Sequence, residues 1–371
     1  EFLPEYFESP EQALDMVFLK GYQWPFDVRK TDGSSVIDLI IHHETVELGR
    51  KVYMDFRTDP KGLRADFSGL AEETRTYLAN SGALLATPIA RLAHMNPDAI
   101  ALYRSHGIDL YSEPLRIAVC AQHANGGVSV DANWQTTVRG LYAAGESAGT
   151  FGVYRPGGSA LNSTQVGSMR AAEHIAMTSD EMPFDEARFA RTAAKLEPWL
   201  QKMLETTARA QASSKSYQIL GEMQQRMSAC AAHLRQPQAM QALQHELEDT
   251  LAALPETYVP ASEGGFAQML RIRDTLMTQA AVLSAMRFSA EAFGSRGASL
   301  VLHESGEPVC AAMPALRCLP STHPGGGSVV VTEWTEGGMH SHRENVRPMP
   351  VRNGWFETVW HDYRERMRRI K

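Results

Sequence analysis

The sequence predicts an α/β plus α protein: a glycine-rich strand, turn and helix segment at its centre, a long helical region after it, and a small β-containing tail. Three observations predict it. From Cys120 to Ile175 short apolar runs are separated by glycine clusters and end in a helical segment. Residues 184–254 are dominated by Ala, Leu, Met, Gln and Glu with few Gly or Pro, the composition of long helices. Ser299–His303 and Ser328–Trp334 carry the β-branched and alternating residues of strands.

From the N-terminus, residues 1–30 are aromatic-rich, with Gly21–Asp27 forming a packed turn around Pro25. Val36, Ile37, Ile40 and Ile41 recur at helical spacing and predict a helix over Ser34–Gly49. His42 and His43 are adjacent on it. Neighbouring helical residues point about 100° apart, so the pair is read as surface or interdomain packing rather than as a metal site. Val52–Phe56 reads as a strand, and residues 66–109 as mostly helical, closing at Gly107–Asp109.

Ile117–Cys120 is a short apolar strand. Gly126 and Gly127 bend the chain without a Cβ, and Gly145, Gly149 and Gly152 leave one flank of the next turn bare. Gly140–Glu146 reads as a short buried strand ending in small residues and a carboxylate. Arg155 and the Pro-Gly-Gly after it lead into a helix over Ala160–Ile175, with Ser159 as its N-cap. Free N–H groups at such a helix start favour negative charge on whatever they face. The whole stretch suits a backbone that must approach a large planar anionic cofactor closely.

Beyond it, the helices of 184–254 are broken near Ser213–Ser216 and at Pro237, and Pro255–Gly265 is a loop. Phe266–Phe288 is an amphipathic helix with Met269, Ile272, Leu276, Ala280 and Leu283 on one stripe. Such a Met-bearing stripe is read as core. In the tail, the two strands pair as a hairpin across a long loop. Gly325–Gly327 is a turn, because no helix follows it, and His340 and His342 lie in a polar loop. The last thirty residues hold eight Lys/Arg against four Asp/Glu, the excess of a solvated or docking face, and Trp355, Phe356 and Trp360 favour docking.

At 371 residues the chain has room for two or three domains, and 43% hydrophobic with 21% charged residues is ordinary for a globular protein. A net charge of −7 gives no reason to expect nucleic acid. No apolar run approaches the roughly 20 residues of a membrane span. The four cysteines (120, 230, 310, 318) lack CxxC pairing, so no zinc or iron–sulfur site is expected, and a reducing, cytoplasmic setting is the simplest reading.

Four pieces occur in order: Gln122-His-Ala-Asn-Gly-Gly127, Gly140-Leu-Tyr-Ala-Ala-Gly-Glu146, Arg155-Pro-Gly-Gly-Ser-Ala-Leu-Asn162, and Arg170-Ala-Ala172. Together they resemble the second half of the flavin-binding domain of the succinate dehydrogenase/fumarate reductase flavoprotein family, which also includes L-aspartate oxidase and adenylylsulfate reductase. The resemblance continues to Phe293–Gly297 and covers most of residues 20–300. It implies FAD as cofactor and hydride exchange between flavin and a small carboxylated substrate, with an electron-transfer partner. The other chemistries of the family stay open at this point, as does a non-catalytic piece that associates with a partner carrying the missing half.

That half is the GxGxxG strand-to-helix fingerprint that seats a dinucleotide pyrophosphate. It occurs nowhere in the sequence, so the chain is read as the C-terminal portion of a longer flavoprotein. The resemblance divides it into a capping-domain remainder (1–115), the return half of a Rossmann-like FAD domain (116–180), a helical bundle (184–297) and a tail with a hairpin (298–371).

The resemblance also implies roles. His123 would hydrogen-bond a substrate carboxylate; the alternative is a histidine bonded to its own loop backbone. Arg155 would clamp a carboxylate with its planar fork of donors, or else fix the Pro156-Gly157 turn by a salt bridge. Glu146 would accept from hydroxyls of the flavin's sugar-like chain. Gly126, Gly127, Gly158, Ser159, Ala160, Leu161 and Asn162 would lie against the flavin, where the helix start favours charge on the reduced ring. The family's proton-donating arginine falls near Ser34, with Arg29 and Lys30 close by in sequence.

Overall fold

The apolar stripes of the sequence become helices, and three of the N-terminal ones are capped by Ser9, Thr87 and Asn96. The computed structural model describes residues 2–155, 158–178, 184–209, 216–257, 265–322, 327–348 and 356–370. Helix α1 (Pro10–Leu19) starts at Ser9, whose side chain accepts the Gln12 N–H. Helix α2 (Ser35–His42) runs into a single π turn, His43–Glu47. Strand β1 (Val52–Met54) is followed by helices α3 (Glu72–Asn80), α4 (Pro88–Met95) and α5 (Pro97–Ser105), then by strand β2 (Leu115–Ile117), antiparallel to β1. Further along lie β3 (Leu234–Arg235), β4 (Leu300–Pro308) and β5 (Arg317–Cys318). The chain forms two units, of which the first is Glu1–Ala121, His233–Arg235 and Phe293–Thr322.

In this first unit the α2 stripe does what its spacing predicts. Val36, Leu39 and Ile40 are buried with Phe26, Leu234, Leu300, Val309 and Cys310. A second cluster joins Leu14, Phe67, Leu70, Leu78 and Ala83. Buried Asp15 accepts the Ala71 N–H at 3.0 Å, supplying the cap that α3 lacks in its own sequence. The π turn buries Glu44, whose carboxylate accepts the Tyr6 hydroxyl at 2.7 Å and pairs with Arg50 at 3.1 Å. Burial, and then the Glu44 carboxylate, pushes Tyr6 up to about 12. The Tyr6 bond holds Glu44 below the usual carboxylate range against the effect of burial.

The second unit is Gln122–Ala232, Gln236–Ala292 and His323–Lys371. It contains α6 (Ser159–Thr178), α7 (Glu186–Arg209), α8 (Ser216–Ala231), α9 (Pro237–Thr257), α10 (Gly265–Phe293), the hairpin β6 (Ser328–Thr335) and β7 (Gly338–Asn345), and α11 (Phe356–Ile370). Met269, Ile272, Leu276, Ala280 and Leu283 of α10 are all at most 2% exposed, and Met203, Met223, Met240 and Leu247 of the preceding helices are equally buried. The predicted stripe is therefore core, and its helix extends past Phe288 to Phe293. The side-chain amide of Gln279 on α10 donates to the Met223 carbonyl of α8. The Met339 N–H of β7 donates to Glu248 of α9.

Two strand expectations are corrected. Ser299–His303 and Ser328–Trp334 do not pair with each other. Leu300 pairs parallel with Leu234, and β4 pairs antiparallel with β5, whereas β6 pairs with β7 from Ser328↔Asn345 to Thr335↔Gly338. The reason is closure cost: Glu336 and Gly337, followed by Gly338 at φ +102°, make a two-residue turn that β6 closes with its immediate successor. His340 and His342 thus lie in a strand, not a polar loop, with stacked rings 6.2 Å apart. Gly140–Glu146 is likewise not a buried strand. Tyr142 makes one isolated bridge to Gln135, Leu141 is 54% exposed, and Gly145–Ser147 is a 3₁₀ turn. A strand needs a continuous ladder with a neighbour, and among the described residues this run makes only the one isolated bridge. The expected break at 213–215 and the turn at Gly325–Gly326 lie outside the described residues, as does most of the loop expected at Pro255–Gly265, into which α9 continues as far as Thr257.

Candidate functional site

The centre of interest is built by two loops of the second unit that cross at their glycines. Gly127 bridges Ala148, and the Val128 N–H donates to the Ser147 carbonyl at 2.7 Å. The crossing is so close that a Cβ on Gly127 would lie 2.4 Å from both the Gly149 nitrogen and the Ser147 oxygen. Gly149 itself adopts φ +63°, a conformation that favours glycine. The crossing delivers the side chain of Glu146 to the base of the first loop. One carboxylate oxygen accepts the Ala124 N–H at 2.7 Å, and the other lies 3.0 Å from His123 Nδ1. Phe151 stacks on the imidazole, centroids 5.1 Å apart and planes within 24°. His123 Nε2 is buried and has no protein partner.

Helix α6 is stitched to the same loop. Thr164 rests where a Cβ of Gly145 would make ordinary contact, at 3.5 Å, and Thr150 shares a 2.7 Å hydrogen bond with Ser163. Ser159 is the first residue of α6 rather than the residue capping it, a difference of one position at a frayed helix end. Leu161 is 70% exposed, Asn162 is exposed, and Ser159 and Ala160 are at the half-open start of the helix. Gly126, Gly152 and Gly158 face open space, with no atom near where a Cβ would sit.

The expected site residues fall into groups. His123 and Glu146 are brought together, with Gly126 and Gly127 at the end of the same loop. Gly158, Ser159, Ala160, Leu161 and Asn162 form the exposed start of α6. Arg155 is half-buried and makes no ion pair with any described residue. The salt bridge offered as its alternative role is thus not made among the described residues. In the first unit, Ser34 is fully buried with its hydroxyl unpartnered. Arg29 pairs with Asp27 at 2.6 Å; burial opposes the Asp27 charge, but the Arg29 bonds outweigh it and hold that carboxyl low. Among the described residues, no three His, Cys, Asp or Glu side chains gather as a metal-binding group.

Sequence reasoning missed three participants. Phe151 carries no local signal as the partner of His123. Trp134, at φ +61°, lies over Gly167, where a Cβ would meet its indole nitrogen at 2.3 Å, and Arg170 sits 5.9 Å from its ring. Tyr142 accepts from the Gln135 amide at 2.8 Å and bonds His174 at 2.6 Å, fastening the Gly140–Glu146 segment to α6. The glycine at 167 inside a helix was the readable signal for the second of these.

A family model described as FAD binding domain matches residues 26–161. Over 85 residues the chain is 44% identical to L-aspartate oxidase of Streptomyces coelicolor, covering 22% of this chain and 15% of that protein. Over 194 residues it is 28% identical to the first of the fumarate reductase (CoM/CoB) subunits of Methanothermobacter marburgensis, covering 51% of this chain and 34% of that one. The chain therefore spans well under two thirds of these relatives. In three dimensions it resembles E. coli quinol fumarate reductase FrdA with a TM-score of 0.57 at 20% identity, over 86% of this chain and 49% of that one, a likeness of fold.

What these matches define is an FAD-binding segment over residues 26–161. Over that stretch the chain is similar to the succinate dehydrogenase/fumarate reductase flavoproteins, and the cofactor this similarity indicates is FAD.

Proposed function

We propose that the chain forms the substrate side and the ring end of an FAD site, in a protein that exchanges hydride with a small carboxylated substrate. What supports this is one observation: His123 Nε2 and the Arg155 guanidinium, two groups able to donate to an anion, belong to neighbouring glycine-lined loops and lack a described protein partner. The names of the relatives agree in chemistry, since aspartate and fumarate are both dicarboxylates. Arg155 would hold one carboxylate through its planar fork and His123 would orient the other end.

The residues fit the ring end of FAD. The open space at Gly126, Gly152 and Gly158 gives a flat ring close backbone approach, Gly127 sets the bend, and the exposed α6 start from Ser159 through Ala160 and Leu161 to Asn162 offers N–H groups to its pyrimidine edge. FAD supplies the two-electron chemistry, and the protein orients the substrate and excludes water from it. A polypeptide carrying the GxGxxG half would supply the pyrophosphate seat, and an electron-transfer partner would complete turnover. The test is malonate titration of the FAD-loaded complete protein, followed by the flavin absorbance change. Replacing His123 or Arg155 by alanine should each weaken malonate at least tenfold; unchanged affinity in both variants refutes the reading.

A second reading is favoured by the uncovered apolar side chains Val128, Leu141, Leu161, Val166 and Met169, 43–70% exposed. It makes the chain a piece that binds no flavin until a polypeptide carrying the fingerprint half covers that face. Residues 1–371 purified alone with stoichiometric flavin would exclude it.

A further inference from the structure

We infer that the outward face of the tail hairpin is a binding site for one divalent transition-metal ion, chelated by His340 and His342 and oriented by Glu344. A polar loop would give residues two apart no common direction. In a strand they share one face, and both histidines lie in β7. Ser341 between them points the other way, where its hydroxyl bonds Ser284 of α10 at 2.8 Å and Thr332 of β6 at 2.7 Å. That side of the hairpin is thereby fixed to the helical core, and the two imidazoles are left on the opposite side.

The donors select the class of ion. Neutral imidazole is a ligand for zinc, copper and nickel, whereas magnesium and calcium take oxygen. The two rings are nearly parallel, with planes 18° and centroids 6.2 Å apart. Two imidazoles on one tetrahedral ion, at about 2.0–2.1 Å per bond, have centroids about 5 Å apart, so side-chain rotation must bring the pair about 1 Å closer. Glu344 Oε1 lies 3.0 Å from His342 Nε2. A carboxylate there accepts the Nε2 hydrogen and leaves the Nδ1 lone pair to the ion, which is how metal-ligating histidines are commonly held. Across the ladder Glu333 stands opposite His340 and Val331 opposite His342, and directly opposed residues share a face. Glu333 thus adds a second carboxylate on the side where the cation would sit. No group of three metal-ligating side chains forms among the described residues, so water completes the coordination.

The test is calorimetric titration of the full chain with zinc ion alone and, separately, with magnesium ion alone. The parent should bind zinc and not magnesium. His340→Ala and His342→Ala should each weaken zinc at least tenfold, since either leaves a single imidazole in place of a chelate. An unchanged denaturant midpoint in both checks that the fold is intact. Glu344→Gln should weaken zinc about tenfold, the usual effect of removing the carboxylate that holds a ligating histidine. Val331→His sets a third imidazole opposite His342 and should tighten zinc at least tenfold, a gain that damage to the fold cannot imitate. Equal zinc affinity in the parent and both alanine variants would overturn the inference, as would a parent that takes up no zinc at millimolar ion. Parental affinity in Val331→His would place the bound ion elsewhere and overturn it equally.

Discussion

Gly126 and Gly127 are adjacent and identical, yet the structure asks opposite things of them. In Gly127→Ala the new Cβ would stand 2.4 Å from Gly149 N and Ser147 O, against the ~3.5–4.0 Å at which carbon contacts settle. Both neighbours are backbone, so no rotamer change relieves the overlap. The loops must part by about 1 Å, an overpacking cost of about 1–3 kcal/mol. Parting them also breaks the 2.7 Å bond from the Val128 N–H to Ser147, worth about 1 kcal/mol more. The crossing should thus lose about 2–4 kcal/mol, which lowers hydrogen-exchange protection of the Val128 amide roughly 30- to 700-fold. In Gly126→Ala the Cβ enters open space at a φ outside the left-handed region. The change should be neutral or stabilising by about 0.4–1 kcal/mol, through the unfolded chain. Amide exchange followed by NMR or mass spectrometry reads both variants. Equal protection of Val128 in the two would show that the crossing does not hold the loops together.

Three other outcomes are expected. Leu276→Ala, at a position 1% exposed in the helical core, should cost about 2–5 kcal/mol, seen as a lower denaturant midpoint at unchanged slope. Burial, and then the charge of His42, lowers His233 from 6.5 to about 4. Between those values the unfolded chain binds a proton that the folded chain refuses, so stability should fall as pH drops through this window, by up to about 3 kcal/mol. His233→Phe should flatten that slope in denaturant titrations across the window. Tyr6→Phe removes the hydroxyl bonded to buried Glu44 and should cost about 1–3 kcal/mol at neutral pH. Because the folded pKa of Glu44 is depressed, this contribution is present above the unfolded value and is lost as pH falls through the folded one. The gap between variant and parent should therefore close as pH falls below the usual carboxylate range.

Helices were legible in the sequence because their signal is local. The stripe of Val36, Ile37, Ile40 and Ile41 and that of Met269, Ile272, Leu276, Ala280 and Leu283 each name one face within one stretch of chain, and all of these but the half-buried Ile37 are buried. Strand partners are set elsewhere. Nothing within Ser299–His303 distinguishes Leu234 or Cys318 from Val330 as a partner; the tight turn at Gly337 decides it by taking β6 for β7. The cap of α3 was hidden for the same reason, since Asp15 reaches Ala71 across 56 residues.

The candidate site shows where pattern reading stops. A run of glycines states that side chains are unwelcome, but not what takes their place. At Gly126, Gly152 and Gly158 that place is open; at Gly127 and Gly149 it is filled by the other's backbone, and at Gly167 by the indole of Trp134. The same division applies to the charged residues. Glu146 and Arg155 both read as ligand contacts, since each is a lone charge beside glycines. Glu146 lies 3.0 Å from His123, far from it along the chain, while Arg155 pairs with no described residue. Sequence therefore locates the cluster, and three-dimensional pairing divides it into groups that act on the protein itself and groups left to act on something else.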